Sequence, residues 1–314
     1  MKSSKPKVIV ICGPTASGKT KLSIELAKKI EAEIVSADSM QIYKDMNIGT
    51  AKPTIEEMQG IKHYMIGNIS PQERFSVASY KIDAEQAIEE ILLKGKTPIV
   101  VGGTGLYIDS LIYDINFADI KIDEQYRKEL EKISNEQGLD KLYKMAVEID
   151  AQAMEKISKN DKKRIIRVLE IYKQTNKTKT EHDILSRQKE VKYDHKVFAI
   201  NIPRDILYNR INERVDSMIN SGLIDEVKNL LRKYNNFPTA MQGLGYKEVK
   251  KYLEGELTRQ EMIDKLKLET RRYAKRQLTW FRKNNRTIWL NGTEDTANNV
   301  EIIISYLGGY NEQQ

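Results

Sequence analysis

Residues 8–27 read VIVICGPTASGKTKLSIELA, and no other stretch limits the fold so sharply. Four β-branched residues in a row, Val8, Ile9, Val10 and Ile11, have the texture of a buried strand. Gly13, Pro14, Thr15, Ala16, Ser17, Gly18, Lys19 and Thr20 follow. Leu22, Leu26 and Ile30 then recur at helical spacing, with Ala27 beside them. Strand, glycine-rich turn and helix form the context in which G-x-x-x-x-G-K-[ST] binds phosphate. Gly13 and Gly18 free the backbone to turn its N–H groups inward on an anion, and the helix presents its positive end to the same point. Lys19 adds a full charge, and the Thr20 hydroxyl suits a Mg2+ ion. The expectation is a diphosphate or triphosphate site. The motif by itself names neither the compound nor the fate of its phosphates.

A second strand is expected at residues 33–37, ending in Asp38, and a third at 98–101, breaking into Gly102-Gly-Thr-Gly-Leu-Tyr107. Residues 75–93 carry Val77, Tyr80, Ala84, Ala87, Ile88 and Ile91 at helical spacing and stop at Gly95. Three strands, each running into a turn that carries glycine or acid, with helices between them, predict an α/β fold. The predicted architecture is a P-loop-like, doubly wound parallel sheet flanked by helices. Ligands of such sheets bind outside the carboxyl ends of the strands, so residues 13–20, Asp38 and residues 102–107 are expected on one rim. Residues 38–54 read as a long ordered loop of the kind that often carries function.

From 115 to 195 the texture changes to heavily charged, helix-periodic sequence without strand-like runs. It reads as an all-helical insertion into a core made of 1–114 and 196–314. Within it, residues 160–170 predict a helix capped at Asn160 or Asp161, with Arg164 and Arg167 on one face. Strand character returns at 196–202. A helix over 205–221 carries Arg210 and Arg214 four apart, with Gly222 at its end. Past a loop at Pro238 comes Gln242-Gly-Leu-Gly-Tyr-Lys247. Thr258 and Glu261 form a capping box that opens a long helix. Between Arg271 and Arg286 there are seven Lys and Arg and no acid, whereas helix surfaces normally mix charges. With Trp280 and Phe281 interleaved, this suits a nucleic-acid backbone or a diphosphate. It also fits a helix whose Leu278, Trp280 and Phe281 are core and whose charges are merely solvated. A strand over 287–290, a helix over 299–307 and a loose tail over 308–314 complete the chain.

The net charge of +7 permits a polyanionic partner without requiring one. A single cysteine, Cys12, rules out an intramolecular disulfide, fits a reducing compartment and reads as a buried apolar residue. His63, His182 and His195 lack ligand spacing, so no zinc site is expected. No apolar run approaches the ~18 residues of a membrane helix. MKSSKPK leads directly into the first strand without signal-peptide features, and a cytoplasmic location is expected.

Seven segments, GPTASGKT (13–20), DSMQIY (38–43), GTAKPT (49–54), VGGTGLY (101–107), NDKKRIIRVLE (160–170), QGLGYKE (242–248) and AKRQLTWFR (274–282), together resemble bacterial tRNA dimethylallyltransferases. The resemblance runs in consistent order from about residue 7 to 290. It implies transfer of a dimethylallyl group from its diphosphate to the exocyclic N6 amine of the adenosine 3′ of the anticodon, in tRNAs reading codons that begin with U. Diphosphate is released, and the glycine-rich loop holds it without phosphoryl transfer. By the same resemblance Lys19, the loop amides, a Mg2+ at Thr20 and Arg214 stabilise the leaving group. Thr104 hydrogen-bonds it, and Asp38 is the candidate general base, its other reading being a Walker-B-like Mg2+ ligand. Asp38, Ser39, Met40 and Gln41 would read the extruded base. Thr104, Arg127, Lys163, Arg164, Ile165, Ile166, Arg167, Gln242, Gly243, Gly245, Tyr246, Lys247, Lys275, Arg276, Gln277, Thr279, Trp280 and Arg282 match positions that face tRNA. The expected partners are a tRNA anticodon stem-loop and dimethylallyl diphosphate, with the protein a monomer. Two other readings share the start of the chain: a small-molecule P-loop kinase, and an adenylate dimethylallyltransferase acting on free AMP or ATP.

Overall fold

The strand that precedes the glycine-rich loop, β1 (Lys7–Cys12), lies inside a parallel sheet, between β4 (Thr97–Gly102) and β5 (Asp194–Asn201). The computed structural model describes residues 5–115, 123–187 and 190–308; the tail expected to be loose lies, from 309 onward, outside them. Among the described residues the sheet has six strands in the order β3-β2-β4-β1-β5-β6, with β2 at Ala32–Ser36, β3 at His63–Tyr64 and β6 at Ile288–Asn291. Every pairing is parallel. The doubly wound α/β architecture expected from the sequence is present.

Alternation along β1 assigns its side chains to two cores. Val8, Val10 and Cys12 join one, and Ile9 and Ile11 the other. On the Ile9 and Ile11 face packs α1 (Lys19–Lys29), through Leu22, Ile24 and Leu26. On the opposite face pack α3 (Val77–Leu93) and α4 (Gly105–Ile112), through Tyr80, Ile88, Ile108 and Leu111. The connection between β2 and β3 carries a short helix, α2 (Ile55–Met58), whose first turn is closed by a Thr54–Glu57 capping box.

Two compact units divide the chain: Met1–Ile112 with Lys192–Gln314, and Tyr113–Val191. In the second, α5 (Glu124–Gln137), α6 (Leu139–Ile149), α7 (Ala151–Met154), α8 (Lys162–Thr175) and α9 (Lys179–Arg187) are all helical. Leu130, Leu142, Ala146, Ile165, Val168 and Leu169 close its own core. Asp161 caps α8 by accepting the Arg164 N–H at 3.1 Å.

After β5 the first unit continues with α10 (Arg204–Asn220), α11 (Leu223–Lys233), a 3-10 turn at Ala240–Gln242, α12 (Tyr246–Leu253), α13 (Arg259–Phe281) and α14 (Thr296–Gly308). The capping box at Thr258 and Glu261 opens α13 as the sequence predicts. Helices α11 and α12 occupy a stretch for which the sequence reading gives no element. Gly222, expected at the end of α10, stands one residue past the Ser221 cap at a φ of 96° and starts α11. The two-residue strand β3 was also without a sequence signal, being too short to show alternation.

The carboxyl ends of β2 and β4 are locked together at the rim. Ala37 donates to Val101 O at 2.7 Å, and Thr104 N–H donates back to Ala37 O at 3.1 Å. A methyl group on Gly102 would lie 2.1 Å from Ala37 O. Gly102→Ala is therefore expected to lower unfolding free energy by about 3 kcal/mol, read as a lower urea midpoint at unchanged slope. A midpoint within error of the parent would show that this rim is loosely packed.

Candidate active site

The glycine-rich loop leaves β1 at Cys12 and enters α1 at Lys19. Ala16 takes a φ of 62°, a left-handed conformation that costs a non-glycine residue energy and helps wrap the loop. The α1 N-terminus has no side-chain cap and no acid in its first turn. Ser17 Oγ is buried without a partner among the described residues. Unmet helix N–H groups and an orphaned hydroxyl around a lysine form a cradle that an anion would complete.

Two cations meet there. Lys19 Nζ donates to Pro14 O at 2.6 Å, and Arg214 Nη1, from α10, donates to Thr15 Oγ1 at 3.4 Å. Burial, and then the neighbouring Arg214, lower Lys19 from 10.5 to about 8. Arg210, four residues before Arg214, instead donates to Gly292 O at 3.2 Å. Cys12, just before the loop, is buried and its thiol is pushed up to about 12 by that burial, so it stays protonated.

From the neighbouring strand end comes Asp38. Its Oδ1 accepts the backbone N–H groups of Met40 at 2.9 Å and Gln41 at 3.3 Å; Oδ2 has no hydrogen bond among the described residues. Thr104 Oγ1 accepts the Ser39 N–H at 3.1 Å, fixing the turn from the β4 side. A cavity of about 400 Å3 is lined by Thr15, Lys19, Thr20, Asp38, Ser39, Met40, Gln41 and Arg214. Its other walls are Gly49–Ala51, Val101–Gly103, Gln242–Gly245 with Lys247, and Tyr273, Arg276 and Gln277 of α13. Lys19, Thr20 and Arg214 line this space and also a second one of about 390 Å3, walled by Ala16, Ser17, Gly18, Glu57 and Gln59, so the two cations stand where the cradle meets the cavity that holds Asp38 and Tyr273.

Gln277 is the residue whose role the sequence did not disclose. Its Oε1 accepts the Thr15 N–H at 2.9 Å, and its Nε2 donates to Gly103 O at 2.9 Å. It is 5 % exposed, so its amide is engaged inside the protein. Tyr273, one helical turn earlier, also had no assigned role. Its hydroxyl faces Thr104 and Gln277, and burial pushes it up to about 12, so it is a neutral donor. The helical spacing of 273 and 277 was the available signal.

The residues matched to tRNA-facing positions fall into distinct groups. Lys275, Arg276, Thr279 and Arg282 are exposed on α13, and the three cations have no acidic partner among the described residues. Trp280 is half-buried and donates to Asp109 Oδ2 at 2.9 Å; Phe281 is in the core. Both alternatives for this helix thus hold, on different faces. Gln242, Gly243, Gly245 and Lys247 line the cavity, while the Tyr246 side chain is fully buried. In the helical unit Lys163 and Arg164 are exposed, and Ile165 and Ile166 are buried core. Arg127 donates to both oxygens of buried Glu170, at 2.7 and 3.0 Å, and Arg167 reaches the same carboxylate at 3.5 Å. The side chains of Ile165, Ile166 and Tyr246 therefore hold the fold, and Gln277 holds Thr15 and Gly103 while lining the cavity.

A model described as IPP transferase matches residues 41–284. The chain belongs to the IPP transferase family. It is 51% identical over 304 residues to the tRNA dimethylallyltransferase of Acetivibrio thermocellus, covering 96% of each. It is similar to the solved tRNA isopentenylpyrophosphate transferase of Bacillus halodurans, with 42% identity, a TM-score of 0.73, and 97% and 96% of the two chains covered. A eukaryotic dimethylallyltransferase, solved acting on tRNA, matches at 31% identity and a TM-score of 0.80, over 98% of this chain and 80% of that one.

Among the described residues no group of three or more His, Cys, Asp or Glu could cage a metal. Thr20 offers one exposed hydroxyl oxygen at the cavity wall. That donor set fits Mg2+, which takes few protein ligands and completes its shell with substrate oxygens and water.

The depressed Lys19 gives a signed pH dependence. A bound diphosphate would raise the lysine again, so above pH 8 binding must take up a proton from solvent and affinity falls as pH climbs. An alkyl diphosphate, whose own last proton leaves near pH ~6, isolates the effect. Calorimetry at about pH 9 in two buffers of different ionisation enthalpy should register uptake of about one proton. Lys19→Met should abolish it. No uptake by the parent protein would separate Lys19 from the anion.

Proposed function

We propose that this protein transfers a dimethylallyl group from dimethylallyl diphosphate to the N6 amine of the adenosine 3′ of the anticodon, in tRNAs reading codons that begin with U, and releases diphosphate. The observation that carries the reading is the cavity whose wall brings Lys19, Thr20 and Arg214, at the edge of the anion cradle, together with the Asp38 carboxylate.

The chemistry follows from those positions. The allylic C–O bond breaks and both electrons leave with the diphosphate, so negative charge grows where the loop amides, Lys19 and Arg214 are fixed. Mg2+ bound at Thr20 would add further neutralisation of that charge. The amine nitrogen forms the new bond to carbon and sheds one proton. Asp38 Oδ1 is committed to two backbone N–H groups, which leaves Oδ2 to receive that proton. The neutral Tyr273 hydroxyl, beside Thr104, lines the same cavity as a donor.

An adenine stacked in an anticodon loop has to be extruded to reach Asp38. Lys275, Arg276, Thr279 and Arg282 on α13, and Lys163 and Arg164 in the helical unit, are the groups we assign to the RNA backbone. Their exposure, and on α13 the lack of neutralising acids, support this. Gln242 and Lys247 line the cavity and are assigned to the nucleotides beside the target. We take the working unit to be a single chain acting on tRNA in the cytoplasm. Among the described residues no helix is long and apolar enough to cross a membrane.

Mass spectrometry of an anticodon stem-loop incubated with the protein, Mg2+ and dimethylallyl diphosphate should show one added C5H8 unit on the target adenosine. Asp38→Ala should slow this by about 100-fold, the scale of a lost general base, and leave stem-loop affinity within a few-fold. Modification of AMP at a rate equal to the stem-loop would favour the adenylate enzyme. Unchanged turnover in Asp38→Ala would remove the carboxylate from the mechanism.

A further inference from the structure

Residues 38–54 form no regular element, yet they supply Asp38–Gln41 and, through Gly49–Ala51, a wall of the cavity. A loop of that length needs external support to hold one shape. Glu226 on α11 provides it. Its Oε2 accepts the N–H of Asn47 at 2.9 Å and of Ile48 at 2.8 Å, and its Oε1 accepts the N–H of Gly49 at 3.2 Å. Oε1 also accepts the Tyr246 hydroxyl at 2.6 Å. Four donors fill the carboxylate's acceptor sites. The Tyr246 ring lies so close to Gly49 that a methyl group there would be 2.6 Å from it.

Tyr246 belongs to the 242–247 segment that lines the cavity from the α12 side. One carboxylate therefore ties two walls together. The support continues inward. Gln41 Nε2 donates to Thr50 O and Ala51 O, both at 3.2 Å, and Gln41 N–H donates to Asp38 Oδ1 at 3.3 Å. The diphosphate cradle hangs on other elements, β1, α1 and α10.

We infer that Glu226 is a positioning residue for the half of the cavity that receives the adenine: it sets the spacing between the 47–51 wall and the Tyr246 segment, and through Gln41 it fixes the Asp38 carboxylate. This rests on the prenyl-transfer reading. Lys233, the last residue of α11, and Tyr234, which caps it, reach the same loop at Asp45 Oδ2, both at 2.6 Å. Asp45 does not line that cavity, so Lys233 serves as a control on the same helix and loop.

The test compares kcat on the stem-loop with alkyl diphosphate affinity and with hydrogen exchange at the 47–49 amides. Glu226→Gln keeps the size but turns an NH2 toward its donors. It should lower kcat by about 100-fold, as misplacement of a reacting group by an ångström does, and speed exchange at 47–49. Diphosphate affinity should stay within about twofold, because the cradle is built elsewhere, and Glu226→Asp should restore part of kcat. Tyr246→Phe removes one of the four bonds and should lower kcat by about tenfold. Lys233→Ala should match the parent. The inference is overturned if Glu226→Gln keeps parental kcat, or if diphosphate affinity falls in step with kcat. Should Glu226→Gln fail to fold, parental kcat in Tyr246→Phe overturns it instead. A parent protein that modifies no RNA would sink the prenyl-transfer reading and this inference together; a fully active Glu226→Gln with fast exchange at 47–49 sinks this inference alone.

Discussion

The Gln277 side-chain amide decides how α13 meets the sheet. It takes the Thr15 N–H on one side and gives a hydrogen to Gly103 O on the other, so it spans the turns that follow β1 and β4. A buried backbone group left without a partner costs about 1–3 kcal/mol, and loss of this amide would strand two. With Gln277 fixed, helical geometry assigns the rest. Four residues on, Phe281 enters the core; four residues back, Tyr273 reaches the cavity. The opposite face is left with Lys275, Thr279 and Arg282 in solvent, and Arg276 stands between, exposed yet on the cavity rim. One helix thereby closes a buried anion site on one side and offers a cationic surface on the other.

The cavity is electrostatically costly without a ligand. Lys19 and Arg214 are held as neighbours in a place that burial makes unfavourable for both charges. Ala16 sits in a left-handed conformation, and Ser17 Oγ has no partner among the described residues. An anion bound in the loop relieves the charge repulsion and the orphaned hydroxyl, while the Ala16 strain is the cost of holding the loop open for it. A site organised in advance around absent negative charge stabilises a leaving group most when its charge is fully developed, which is the condition for assisting departure. Asp38 stands across the same space with one oxygen committed to the turn, which separates base chemistry from leaving-group chemistry within one cavity.

The sequence discloses what local pattern determines. Strand, loop and helix at 7–29 are written in β-branched residues, glycines and helical spacing. The Thr258–Glu261 box announces α13. The rule that open parallel sheets bind at strand ends brings the loop, Asp38 and the 102–107 turn to one rim before any coordinates. What stays hidden depends on long-range closure. Gln277 meets partners 262 and 174 positions away, and Glu226 meets Asn47 from 179 positions away. No spacing rule pairs such residues. Helix α11 is a different case: Leu223, Val227 and Leu230 are all buried at helical spacing, a signal present in the sequence between Gly222 and Pro238.

A P-loop ordinarily suggests that phosphate is the group in motion, whereas here the cradle is read as the holder of what departs. The most direct measurement uses dimethylallyl diphosphate carrying one isotope in the prenyl carbons and another in the phosphorus, incubated with protein and stem-loop. The carbon label should appear on the RNA and all of the phosphorus label in free diphosphate, in equal amounts. Phosphorus label on the RNA, or carbon label recovered only as free alcohol, would contradict it.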